Sequence, residues 1–171
     1  MKLIDVIHDI LIVEYNKLGK GSWGSVYEKN KKIYKVTEDD EEIIICNALL
    51  NSKHTFKHFP LIYDIKEMKP NEYGDPKFRI IRKMYTPITK IDNLSDITEL
   101  IKKYSMEIMA FIPNQKNPLP QEVKNNQKLY NTILGIINEF STLNLPDYKF
   151  LDFHIENIGV DEMNNILLFD F

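Results

Sequence analysis

The chain has 171 residues, enough for one domain or two small lobes to bury a hydrophobic core. Hydrophobic residues make up 43% and charged residues 27%, which excludes a disordered chain. The formal net charge is −3 with lysines and carboxylates mixed along the sequence, so no nucleic acid is expected as a partner, and no apolar run approaches the ~20 residues that cross a bilayer, so no membrane is expected either.

The opening MKLIDVIHDI carries Asp5, His8 and Asp9 where a signal peptide would be uniformly apolar, which points to a cytoplasmic protein. Cys46 is the single cysteine, so no internal disulfide forms. Its neighbours Ile43, Ile44 and Ile45 predict a buried thiol without a functional role.

In chain order, residues 10–18 and 25–36 read as strands, the second folded into a hairpin by Lys29-Asn30-Lys31. The acidic run Glu38 to Glu42, followed by Ile45, Ala48 and Leu49, predicts a helix over about 38–51. Two further strands are predicted over 60–67 and 77–85, joined by the turn-rich segment 69–76. Beyond Tyr85 the pattern becomes helical, over about 94–111 and again over about 121–143, with a Pro/Asn-rich break at 112–120. The second of these helices places Leu129, Ile133, Ile136, Ile137 and Phe140 on one face, with Gly135 as a tolerated weak spot. Two short apolar strands, Ile158 to Val160 and Ile166 to Phe169, close the chain around the turn 161–165.

Between the first two strands lies Gly19-Lys20-Gly21-Ser22-Trp23-Gly24-Ser25-Val26, a G-x-G-x-x-G-x-V pattern whose glycines let backbone N–H groups approach phosphate oxygens. A dinucleotide-binding βαβ unit would require a helix directly after the third glycine. Ser25-Val26-Tyr27 continues as strand instead, which favours a loop over a nucleotide's phosphates formed by Gly19, Gly21, Ser22, Gly24 and Val26. Lys35 lies on the next strand, where alternation aims its ammonium at those phosphates. A cation in a cleft needs a carboxylate to hold it. Glu41, four and eight residues ahead of Ile45 and Leu49, is the expected partner, with Glu42 as the alternative.

Near the C-terminus, Asp152 and Asn157 stand five residues apart in Leu151-Asp152-Phe153-His154-Ile155-Glu156-Asn157, and Asp170-Phe171 follows one hairpin later. In order and spacing this resembles the protein-kinase-like superfamily, with its H-R-D-x-x-x-x-N catalytic loop and the start of D-F-G. The likeness runs from about residue 10 to Phe171. It implies an α+β, two-lobed kinase-like fold: an N-terminal lobe over 1–85 with a five-stranded antiparallel sheet and one helix, and a reduced, mainly helical lobe over 86–171. It also implies ATP and Mg2+ as cofactors, with Asp152 as the base, Lys35 and Glu41 as the ion pair at the phosphates, and Asn157 and Asp170 as metal ligands.

The departures from the family pattern are specific. Phe150 and Leu151 occupy the positions of the loop's His and Arg, so regulation through a phosphorylated activation loop is not expected. His154 gives the loop a D-x-H-x-x-N form, similar to that of aminoglycoside- and choline-kinase-like enzymes, and places a histidine able to neutralise the transferring phosphate or to hydrogen-bond within the loop. With the chain ending at Phe171, no activation segment and no peptide-docking platform are expected, and the terminal carboxylate falls beside Asp170. The implied activity is ATP-dependent phosphoryl transfer to a hydroxyl of a folded protein partner or a small-molecule substrate. Nucleotidyl transfer uses the same metal groups, and a pseudokinase-like binding protein is the alternative of a different class. Rich Lys, Asn and Ile usage suits a viral or phage gene product.

Overall fold

A computed structural model describes residues 15–20, 24–145 and 151–170. The fold is α+β and divides into two compact units: Met1–Leu50 with Leu61–Met84, and Asn51–Pro60 with Tyr85–Phe171. Gly21, Ser22, Phe150, Phe171 and the first part of the strand expected over 10–18 lie outside the described residues.

The first unit holds a five-stranded antiparallel sheet of β1 (Asn16–Lys20), β2 (Gly24–Lys29), β3 (Lys32–Thr37), β4 (Ile62–Met68) and β5 (Lys77–Lys83), in the order β1-β2-β3-β5-β4. Asn30 and Lys31 make the two-residue β2–β3 turn with φ of 52° and 60°. Two left-handed residues in succession match the right-handed twist of the flanking strands, and Asn tolerates that conformation well. One side of the sheet is buried through Ile33, Thr37, Ile80 and Arg82.

Helix α1 (Asp40–Asn51) follows β3 directly. Asp39 caps it: Oδ1 accepts from the backbone N–H groups of Glu41 at 2.9 Å and Glu42 at 3.3 Å, and the Asp39 N–H is itself donated to Thr37 Oγ1 at 3.1 Å. The helix buries Glu42, Ile43, Ile45, Cys46 and Leu49.

The second unit contains β6 (Thr86–Pro87), two 3-10 turns, α2 (Ser95–Phe111), α3 (Gln121–Asn125), α4 (Gln127–Ser141), a third 3-10 turn, β7 (Ile158–Val160) and β8 (Ile166–Leu168). Its core joins the α4 stripe Leu129, Ile133, Ile136 and Phe140 to Phe153 and to the strand residues Ile158 and Leu168, all buried. Each such aliphatic side chain contributes about 1.5–3 kcal/mol by leaving water.

Two local expectations are corrected here. The single helix over 121–143 is two helices, because Asn126 is extended at φ −81°, ψ 92° and turns its side chain back to accept from Leu129 N–H at 3.0 Å. Asn competes with helical backbone in this way and is favoured as a cap. The closing hairpin is also one strand short, because β6 pairs with β7 through Thr86–Val160 and Pro87–Gly159. A two-residue strand ending in proline carries no periodic signal. Gly159 permits the pairing, since a Cβ there would lie 2.9 Å from Thr86 O. No helix among the described residues is long and apolar enough to cross a membrane.

Candidate functional site

In the first unit, β3 presents Lys35 on the same side as buried Ile33 and Thr37, and its Nζ lies 2.8 Å from Glu42 Oε1. Their side chains are 13% and 4% exposed, so the two charges are shielded from water and depend on each other. The expected partner Glu41 is exposed instead. Helix α1 turns about 100° per residue, and the buried stripe of Ile45, Cys46 and Leu49 centres on the direction of Glu42, not on that of its neighbour. The pairing is therefore corrected to Lys35–Glu42.

Two of the loop glycines have different reasons to be glycine. A Cβ on Gly24 would sit 1.9 Å from the carbonyl oxygen of Val36, so the close packing of β2 on β3 already forbids a side chain there. At Gly19 a Cβ would meet nothing within 4 Å, which leaves its backbone accessible for approach by a ligand. Val26 lies on β2 directly opposite Lys35 and so faces the same side of the sheet.

In the second unit, Leu151 and Phe153 are buried, and the residues alternating with them, Asp152 and His154, are turned outward. The loop is closed by hydrogen bonds from Phe153 N–H to Leu151 O and from His154 N–H to Asp152 O. A 3-10 turn over Ile155–Asn157 then returns the Asn157 N–H to His154 O at 2.9 Å. This fold-back brings Asn157 Nδ2 to 2.9 Å from Asp152 Oδ2 and 3.1 Å from Asp152 O. Both acceptors are oxygens, so the amide nitrogen must face them, and Oδ1 is the amide atom left for a cation. The other carboxylate oxygen, Asp152 Oδ1, lies 3.3 Å from His154 Nε2, with both side chains about half exposed.

Asp170 is brought to this loop by backbone pairing: the Phe169 N–H donates to Asn157 O at 2.9 Å, and Asp170 is the next residue. An amide oxygen and a carboxylate are hard donors of the kind that hold magnesium alongside phosphate oxygens and water. Asn157 and Asp170 therefore fit such an ion. Among the described residues, no group of three or more His, Cys, Asp or Glu side chains is gathered to hold a metal without such outside ligands.

Sequence reasoning missed the device that holds β8, and with it Asp170. His58 donates from Nδ1 to Ile166 O at 2.7 Å and accepts from the Leu168 N–H at 3.0 Å, so one residue pairs with β8 as a further strand would. Glu139 on α4 fixes it from behind, its two oxygens accepting from the N–H groups of Lys57 at 2.9 Å and His58 at 2.8 Å. Gly135 supplies the space: a Cβ there would lie 2.3 Å from His58 Nε2. The mid-helix glycine was the available signal, since a helix rarely carries one without a packing reason.

Compared with known proteins, the chain matches no family model and no curated sequence.

Proposed function

We propose that the chain is an ATP- and Mg2+-dependent phosphotransferase of protein-kinase-like fold, acting on a hydroxyl of a small molecule or of a folded protein. The observation that carries this reading is the Asp152–Asn157 lock with Phe169 tied to the Asn157 backbone, which gathers a carboxylate, an amide oxygen and a second carboxylate on one loop and strand end. Phosphoryl transfer asks a protein mainly for positioning and charge neutralisation, and this set supplies both. Asp152 takes the proton of the attacking hydroxyl as its oxygen bonds to the terminal phosphorus and the bond to ADP breaks. In the first unit, Lys35, held by Glu42, supplies a cation of the kind that binds a nucleotide's phosphate oxygens. His154, beside Asp152 Oδ1, meets the incoming hydroxyl or the transferring group. Asn157 and Asp170 would hold Mg2+, which when bound offsets the charge of the phosphates.

The reading is tested by thermal unfolding with and without ATP and Mg2+. Saturation at about a hundred times Kd adds about 2.7 kcal/mol of stability, seen as a raised melting temperature. Lys35→Ala should remove the rise. Asp152→Asn should keep it but abolish the mass gain of an acceptor, and Asp170→Asn should weaken the Mg2+-dependent part. An unchanged melting curve at millimolar ATP would overturn the proposal.

One observation favours a second reading, a nucleotide-engaging protein without catalysis. Both oxygens of Asp152 already have neighbours in the chain, Asn157 and His154. In that case ATP raises the melting temperature, no acceptor gains phosphate, and Asp152→Asn changes nothing but stability.

A further inference from the structure

Strand alternation sorts the charges of the first unit in a way that their mixed order along the chain conceals. Directly paired residues of an antiparallel sheet point to the same side. Lys29 pairs with Lys32 and Lys32 with Lys83, so three lysines stand abreast on three adjacent strands. The next row on that side runs Lys17, Tyr27, Tyr34, Ile81 and Asp64, and the one after it Lys20, Ser25, Val36, Arg79 and Lys66. The three rows hold seven basic residues and one carboxylate, Asp64, which itself lies 3.4 Å from Arg79.

None of these residues is buried, whereas the opposite side carries buried Ile33, Thr37 and Ile80 and is tied to α1 through Lys35 and Glu42. Tyrosine rings are set among the cations. Tyr15 stands edge-on to Tyr34 with centroids 4.7 Å apart, Lys29 lies 4.8 Å over the Tyr15 ring, and Lys32 lies 4.7 Å over that of Tyr63, which is 42% exposed.

We propose that this side of the sheet binds single-stranded nucleic acid, with phosphates along the lysine row and bases against the tyrosines. Positive charge alone would serve any polyanion. The rings decide between them, because an unpaired base stacks on an aromatic face, a duplex keeps its bases inside, and an anionic bilayer or acidic peptide has none. Binding through this face is independent of the phosphotransfer reading.

The test is fluorescence anisotropy of the full chain with a labelled oligo-dT of about 15 nucleotides, the upper span of one single-strand site. A duplex of equal length and phosphatidylserine vesicles serve as comparators, each titrated from 50 to 200 mM salt. The single strand should bind tightest, with affinity falling steeply with salt. Lys17→Glu with Lys66→Glu, both exposed and checked by an unchanged melting temperature, should raise Kd at least about tenfold and flatten the salt slope by at least about 1.4. Tyr63→Ala should raise Kd about tenfold for the single strand and leave the salt slope unchanged. No binding at 50 mM salt overturns the proposal. So does equal affinity for duplex or vesicles with a silent Tyr63→Ala, which would mean a face that reads charge only.

Discussion

Glu41 and Glu42 are adjacent, chemically identical and both in the first turn of α1, yet Glu42 is buried and pairs with Lys35 at 2.8 Å while Glu41 is exposed. A buried ion pair is poor evidence of net stability, but breaking one is expensive because the surviving charge stays buried. Glu42→Ala should therefore lower unfolding free energy by about 3 kcal/mol. Glu41→Ala should stay within about 0.5 kcal/mol, as for most exposed substitutions. Urea denaturation measures both, and equal effects would mean that the helical phase assigned to α1 is wrong. The same two variants separate structure from chemistry, because only the loss of Glu42 should diminish the ATP-induced rise in melting temperature.

At the scale of an element, α4 sets local propensity against packing. Gly in a helix interior is about 1 kcal/mol worse than Ala, so Gly135→Ala would stabilise an isolated helix. In this protein the added methyl meets the His58 ring at 2.3 Å. Relieving that contact displaces the ring and its hydrogen bond to Ile166 O, leaving a buried carbonyl without its donor. An unsatisfied buried acceptor costs about 1–3 kcal/mol, and overpacking a similar amount, so packing outweighs propensity. Gly135→Ala should be destabilised by about 2–4 kcal/mol in urea melts. A gain in stability would show that the His58 ring moves aside at no cost.

For the molecule as a whole, the second unit is not a continuous stretch of chain. Asn51–Pro60, lying in sequence between α1 and β4, belongs to it and brings His58 against β8 and Phe59 against Phe140, with ring centroids 6.1 Å apart. A chain cut to begin at residue 86 loses both. Small domains hold only about 5–15 kcal/mol of net stability, and the loss of two buried hydrogen bonds and an aromatic contact removes a large part of it. The fragment should show a broad, non-cooperative urea transition by circular dichroism where the full chain unfolds sharply. A sharp transition in the fragment would mean that Asn51–Pro60 is dispensable.

Much of this was legible locally. Alternation and turn residues located four of the five strands of the larger sheet to within a few residues, and apolar spacing with acidic first-turn residues located α1. The five-residue spacing of Asp152 and Asn157 singled out the two side chains that the loop brings within 2.9 Å. These features depend on neighbours in sequence, so a short window contains their cause. Which glutamate meets Lys35, why Gly135 is glycine and which side of the sheet collects the lysines were decided only in three dimensions. A one-residue change of helical phase swings a side chain by about 100°, and His58 meets Ile166 across more than a hundred residues of chain. Lys29, Lys32 and Lys83 form a row only because the strand order places β5 beside β3. Pairings at such separations are set by loop closure, register and competition for the core, and no local pattern encodes them.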